Sequence, residues 1–133
     1  MPSKEIPGLI LLWLPVLCCM ALIFYAGSLP AGDVPPLFPY QDIVFHLGIY
    51  LILGLCFCRA LKTALPETVP AKAVSITVLF IIFYGITDEL HQSFVPGRSL
   101  SGLDVFIDSL GGLLGSLIYL AHKSWRKSNP FGQ

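Results

Sequence analysis

The chain of 133 residues carries 8 Lys+Arg against 8 Asp+Glu, so its formal charge is zero, and 55% of its residues are hydrophobic. Only 12% are charged, about half the ~25% usual in soluble domains, which excludes a disordered chain, a nucleic-acid surface and an ordinary water-soluble core. The length allows one domain over residues 1–133, and a chain this short and this apolar is explained by lipid as its solvent.

A bilayer is crossed by about 20 mostly apolar residues, and four runs qualify. Gly8 to Ala26 contains no charge. Its length, Pro15 and the lack of an A-x-A site before Ser28 argue for a spanning helix over a signal peptide. The next loop, Gly27 to Gln41, holds Pro30, Pro35, Pro36 and Pro39, a spacing that opposes a regular helix. Ile43 to Cys58 has His46 as its one group that titrates near neutral pH, and Ala73 to Thr87 is uncharged. Leu103 to Ala121 carries Asp104 and Asp108 only in its first turns. The expected fold is all-α, with four transmembrane helices near 8–26, 42–60, 71–91 and 103–122. Cys18, Cys19, Cys56 and Cys58 form no CxxC pair and are read as small apolar fillers.

Lys and Arg accumulate on the cytoplasmic side of a membrane protein. Four helices place the N-terminus, the second loop and the C-terminus at one end. That end gathers Lys4, Arg59, Lys62, Lys72, Lys123, Arg126 and Lys127, and leaves Arg98 alone at the other. Both termini are therefore expected in the cytoplasm. Glu5 and Glu67 fall inside, whereas Asp33, Asp42, Asp88, Glu89, Asp104 and Asp108 fall outside, so the ends carry +5 and −5. Acids contribute little to orientation, and six on one side need another explanation.

Asp42, His46 and Tyr50 are spaced four apart and share a helix face. Asp42 suits an N-cap or first turn, and the stripe descends about 12 Å at 1.5 Å per residue. The third helix ends in Asp88-Glu89-Leu90-His91-Gln92. Acids oppose the negative pole of a helix, so this pair implies a counter-charge, a proton or a metal nearby. Pro96-Gly97 suits a type II turn holding Arg98, a residue whose planar fork binds carboxylate or phosphate. Ser101-x-x-Asp104 has the form of a capping box. Asp104 and Asp108 repel as like charges at i,i+4. Gly111-x-x-x-Gly115 and Gly112-x-x-x-Ser116 are small faces that let helices approach closely in lipid.

Three strings together resemble the VanZ-like family of small bacterial membrane proteins. They are Asp42-x-x-x-His46-x-x-x-Tyr50, Asp88-Glu89-x-His91-Gln92-x-Phe94-x-Pro96-Gly97-Arg98 and Asp104-x-x-x-Asp108-x-x-Gly111. Ile43 stands where many members have Lys, and Asp108 where many have Asn. The resemblance implies a multi-pass protein of the bacterial inner membrane, linked through the family's namesake to glycopeptide (teicoplanin) resistance and the cell envelope. It implies no particular reaction.

From the residues themselves, the expected site is a polar pocket in the outer leaflet lined by helices two, three and four. It binds a membrane lipid or lipid-linked precursor, with Asp42, His91, Gln92, Arg98, Asp104 and Asp108 as ligand-binding residues and Arg98 on an anionic head group. An enzymatic alternative uses His46, Asp88 and Glu89 as acid and base on a lipid-linked phosphate or sugar. A Ser elbow, HExxH and a P-loop are absent from the sequence, so no reaction can be named. No cofactor is predicted and no metal ligands are assigned, although His and carboxylates can hold a divalent metal. A third reading is a scaffold docking a partner membrane protein, and homo-oligomers are compatible with all three.

The topology is tested by cysteine accessibility. A Cys placed at Ser99 is expected to react with an impermeant thiol reagent applied outside, and one at Thr63 is not. The opposite pattern inverts the orientation.

Overall fold

The computed structural model describes residues 5–129, with side chains from Gly8 onward; Lys4, counted above among the inner cations, lies outside them. Four helices follow one another: α1 (Glu5–Gly27), α2 (Gln41–Ala64), α3 (Pro70–Gln92) and α4 (Gly102–Ser128). All four are long and apolar enough to cross a membrane, and no strand occurs among the described residues. The ends fall within a few residues of those expected, except that α2 runs four further and α4 six further.

Local chemistry explains the ends. α1 carries Pro15 inside it, tolerated because neighbouring helices and local adjustments re-satisfy freed backbone in lipid. The proline-rich loop forms only a three-residue 3₁₀ turn, Ala31–Asp33. Its far end is organised by Gln41, whose buried side chain accepts from Leu37 N at 2.6 Å and donates to Pro35 O at 3.1 Å. Tyr40 is the N-cap of α2, in left-handed conformation with φ 60°, so Asp42 is a first-turn acid and not the cap. Pro70 opens α3, where its missing N–H costs no bond. Lys62 is buried and donates to Pro66 O at 2.8 Å and to Thr68 O, holding the α2–α3 loop. The Pro96-Gly97 turn forms as its residues require, with Gly97 at φ 78° and Arg98 N donating to Val95 O at 3.1 Å.

α4 packs most extensively on α2 and next on α3. The small residues make this possible. A Cβ added at Gly54 would stand 2.5 Å from Gly112 O, and one at Gly111 2.7 Å from Leu47 O; at Gly115 it would strike Leu51 O. The two backbones therefore touch, as helices do in lipid where dispersion and polar contacts replace the hydrophobic effect. α1 is the peripheral helix. Tyr84 ties it to α3 by donating to Met20 O at 2.7 Å, while Leu11, Leu17 and Phe24 are left exposed, as a lipid-facing surface requires.

Gly115→Leu is expected to lower stability in detergent by about 2 kcal/mol or more, the scale of overpacking a tight interface. Gly48→Ala, where an added Cβ meets nothing within 4 Å, is expected to be neutral or stabilising by up to about 1 kcal/mol. Thermal unfolding of the purified variants decides both.

Candidate functional site

The acidic end of α3 lies against the first turns of α4, and both face the upper part of α2. His46 Nδ1 is 2.9 Å from Asp108 Oδ1, the only salt bridge among the described residues. Asp108 is fully buried (0% exposed). It fits because Gly85 of α3 lacks a side chain: a Cβ there would be 3.0 Å from Asp108 Oδ2. Below His46, Tyr50 stacks nearly parallel, with ring centroids 6.3 Å apart, and its hydroxyl donates to Asp88 Oδ2 at 3.2 Å. Asp88 Oδ2 also accepts from Gln92 Nε2 at 3.0 Å, one helical turn on.

Glu89 explains half of the acid pair on α3. Its Oε2 accepts from Ser101 N at 2.6 Å, while Ser101 Oγ accepts from Asp104 N at 3.2 Å. In a capping box the third helical residue returns to the N-cap N–H. Here Glu89 does so from another helix, so the local Ser101–Asp104 box is only half made. Asp104 contributes its backbone N–H and keeps its carboxylate free. One ligand atom each from His46, Glu89 and Asp104 lie within 4.8 Å of one another, a group able to hold a metal ion.

Several expected site residues take other places. Arg98 makes no ion pair with Asp88 or Glu89. Its Nε donates to Leu29 O at 2.9 Å, its Nη2 to Ala26 O at 3.4 Å and its Nη1 to Gln92 Oε1 at 3.1 Å. The guanidinium thus meets carbonyls at the negative end of α1, where the helix dipole favours a cation, and it reaches Asp88 only through Gln92. His91 turns to α1, stacking on Phe24 with centroids 4.2 Å apart and lying 3.3 Å from Ser28 Oγ. Asp42 is exposed at the rim. Of the acids at this end, Asp108 is the one that holds His46, carried to it by the close packing of α4 on α2.

A cavity of about 530 Å³ opens beside this cluster. Its walls are not those expected. α1 and α2 supply most of them, including Leu22, Ile23, Phe45 and Ile49, and α4 supplies none. Its polar end is formed by Asp42, His46, Tyr50, Asp88, Gln92 and Arg98; Glu89, His91, Asp104 and Asp108 do not line it. The site therefore has two compartments, a mostly apolar cavity and a carboxylate cluster behind it, meeting at His46.

The cluster is electrostatically incomplete. Asp88 Oδ1, Glu89 Oε1 and Asp108 Oδ2 are buried without a hydrogen-bond partner, as is His91 Nδ1. Each such group costs about 1–3 kcal/mol, and ionisable groups inside a membrane are expensive enough that they mark functional positions.

The model of the VanZ/LLP1 family matches residues 12–123. The chain belongs to the VanZ/LLP1 family. The span matched to VanZ/LLP1 runs from the first spanning helix to α4 and includes every residue of both compartments. VanZ/LLP1 membership and four apolar helices make this a multi-pass membrane protein, and the name VanZ carries an association with glycopeptide resistance. No curated protein and no solved structure matches the chain. Sequence reading missed Gln41 and the part of α1 in the cavity, since an uncharged helix shows no polar stripe to mark a lining face.

Arg98→Ala removes three bonds, to Ala26, Leu29 and Gln92, and is expected to cost about 1–3 kcal/mol. Arg98→Glu is expected to cost more, because it sets a carboxylate against carbonyls and beside the acids. Thermal unfolding in detergent measures the order; a milder effect for Glu would remove Arg98 from those carbonyls.

Proposed function

We propose that this VanZ/LLP1 protein binds an anionic envelope lipid or lipid-linked cell-wall precursor from the extracytoplasmic side of the bacterial inner membrane. The observation that carries this reading is the cavity of about 530 Å³, apolar along α1 and α2 and polar at one end. A pocket of that size, with apolar walls and a few convergent polar groups, suits one amphiphile. An acyl chain lies between α1 and α2, where α1 is held loosely. The head group meets Arg98, which spends three of its five N–H donors on the protein and keeps two. The positive-inside bias places this end outside, where envelope lipids present their phosphates, and the association of the VanZ name with glycopeptide resistance agrees with that location.

A second reading, favoured by the His46–Asp108 pair at 2.9 Å, is an enzyme acting on a lipid-linked phosphate. A carboxylate-held imidazole is the usual form of a general base. Consumption of such a substrate by purified protein, abolished in His46→Ala, would establish it.

The binding reading is tested by filling the cavity. Gly48 lines it, and a Cβ added there meets nothing within 4 Å, so Gly48→Trp is the variant chosen to occupy the chain path. Native mass spectrometry in mild detergent is expected to find phosphatidylglycerol bound to the wild type and at least about tenfold less on Gly48→Trp. Equal lipid on both would place the binding elsewhere.

A further inference from the structure

We propose that His46, Glu89 and Asp104 form a binding site for one divalent first-row transition metal ion. The three residues come from α2, α3 and α4, and one ligand atom from each lies within 4.8 Å of the others. Ligands at about 2.1 Å from a tetrahedral zinc stand about 3.4 Å apart, a spacing that falls inside the 4.8 Å span of this group.

Two further observations point to a ligand. Glu89 is 1% exposed, and its Oε1 has no partner. Its other oxygen accepts from Ser101 N, which holds the carboxylate at the start of α4, the turn that carries Asp104. His46 is held through Nδ1 by the buried Asp108, and this leaves Nε2 as the nitrogen with a lone pair to give. A metal-bound His almost always donates its other N–H to a carboxylate or carbonyl in this way. One His and two carboxylates suit zinc or manganese.

The charge balance asks for such an ion. Among the described residues the only salt bridge is His46 with Asp108, and Arg98 is engaged by α1 carbonyls and Gln92. Among the described residues, Asp88, Glu89 and Asp104 therefore have no Lys or Arg partner. Three protein ligands leave a fourth position open, and one of the three, His46, also lines the cavity. A lipid phosphate oxygen occupying that position rests on the binding reading above; the metal site itself does not.

Zinc is the probe. The full chain, purified in detergent and stripped with a chelator, is titrated with zinc by calorimetry, and its metal content is measured by elemental mass spectrometry. One zinc per chain is expected in the wild type and in Glu67→Gln, a residue of the α2–α3 loop. Asp104→Asn and Glu89→Gln are expected to bind at least about tenfold more weakly. Asp104→Asn breaks no hydrogen bond of the fold, since only the backbone N–H is used. The amide introduced by Glu89→Gln keeps an oxygen for Ser101 N. Unchanged zinc-free thermal unfolding confirms that both variants fold. No zinc in the wild type, or equal zinc in the wild type and both variants, overturns the site. Zinc without co-purified lipid leaves the metal site standing and removes the lipid reading; lipid without zinc does the reverse.

Discussion

The close approach of α4 to α2 governs the rest of the molecule. At Gly54, Gly111, Gly112 and Gly115 an added Cβ would stand within 3 Å of atoms on a neighbouring helix. That approach carries Asp108, one turn above Gly112, against Gly85, where an added Cβ would stand 3.0 Å from its Oδ2. Asp108 then has a single partner available, the imidazole of His46. In lipid a helix gains little by burying apolar surface against another helix, so small residues and a polar bond must supply the specificity of this contact. The His46–Asp108 pair is thus both a product of the packing and a lock on it.

The acids of α3 follow from the same geometry. Their position at the negative end of a helix is unfavourable locally, and each is answered by a different neighbour. Glu89 caps α4 across the interhelix gap. Asp88 is bonded by Tyr50 and Gln92. Neither is answered by Arg98, whose donors go to the end of α1 and to Gln92. Arg98 therefore joins α1 to the bundle, and carboxyl groups gather between α2, α3 and α4. An apolar cavity ending beside a concentrated acidic centre is the feature from which the functional readings grow.

The sequence determined the elements. Apolar run length settles the number of spanning helices, because backbone polar groups in a bilayer must be satisfied within each segment. The Pro96-Gly97 turn follows from local stereochemistry, and the small-residue stripe on α4 announces a close contact. The polar strings also point to the family whose model matches residues 12–123. These are properties of a segment and its immediate neighbours, and they hold whatever the segment packs against.

Pairing was decided only in three dimensions. Asp108 is adjacent to His46 across 62 positions of sequence, and Arg98 reaches Leu29 across 69. No spacing encodes such distances, and charge alone would have paired Arg98 with the acids. Helix rotation sent His91 to α1, excluded α4 from the cavity wall and turned the apolar stretch of α1 into one of its sides. Where an oily helix faces depends on which small residues let it come close, so partner identity emerges from packing rather than from residue type.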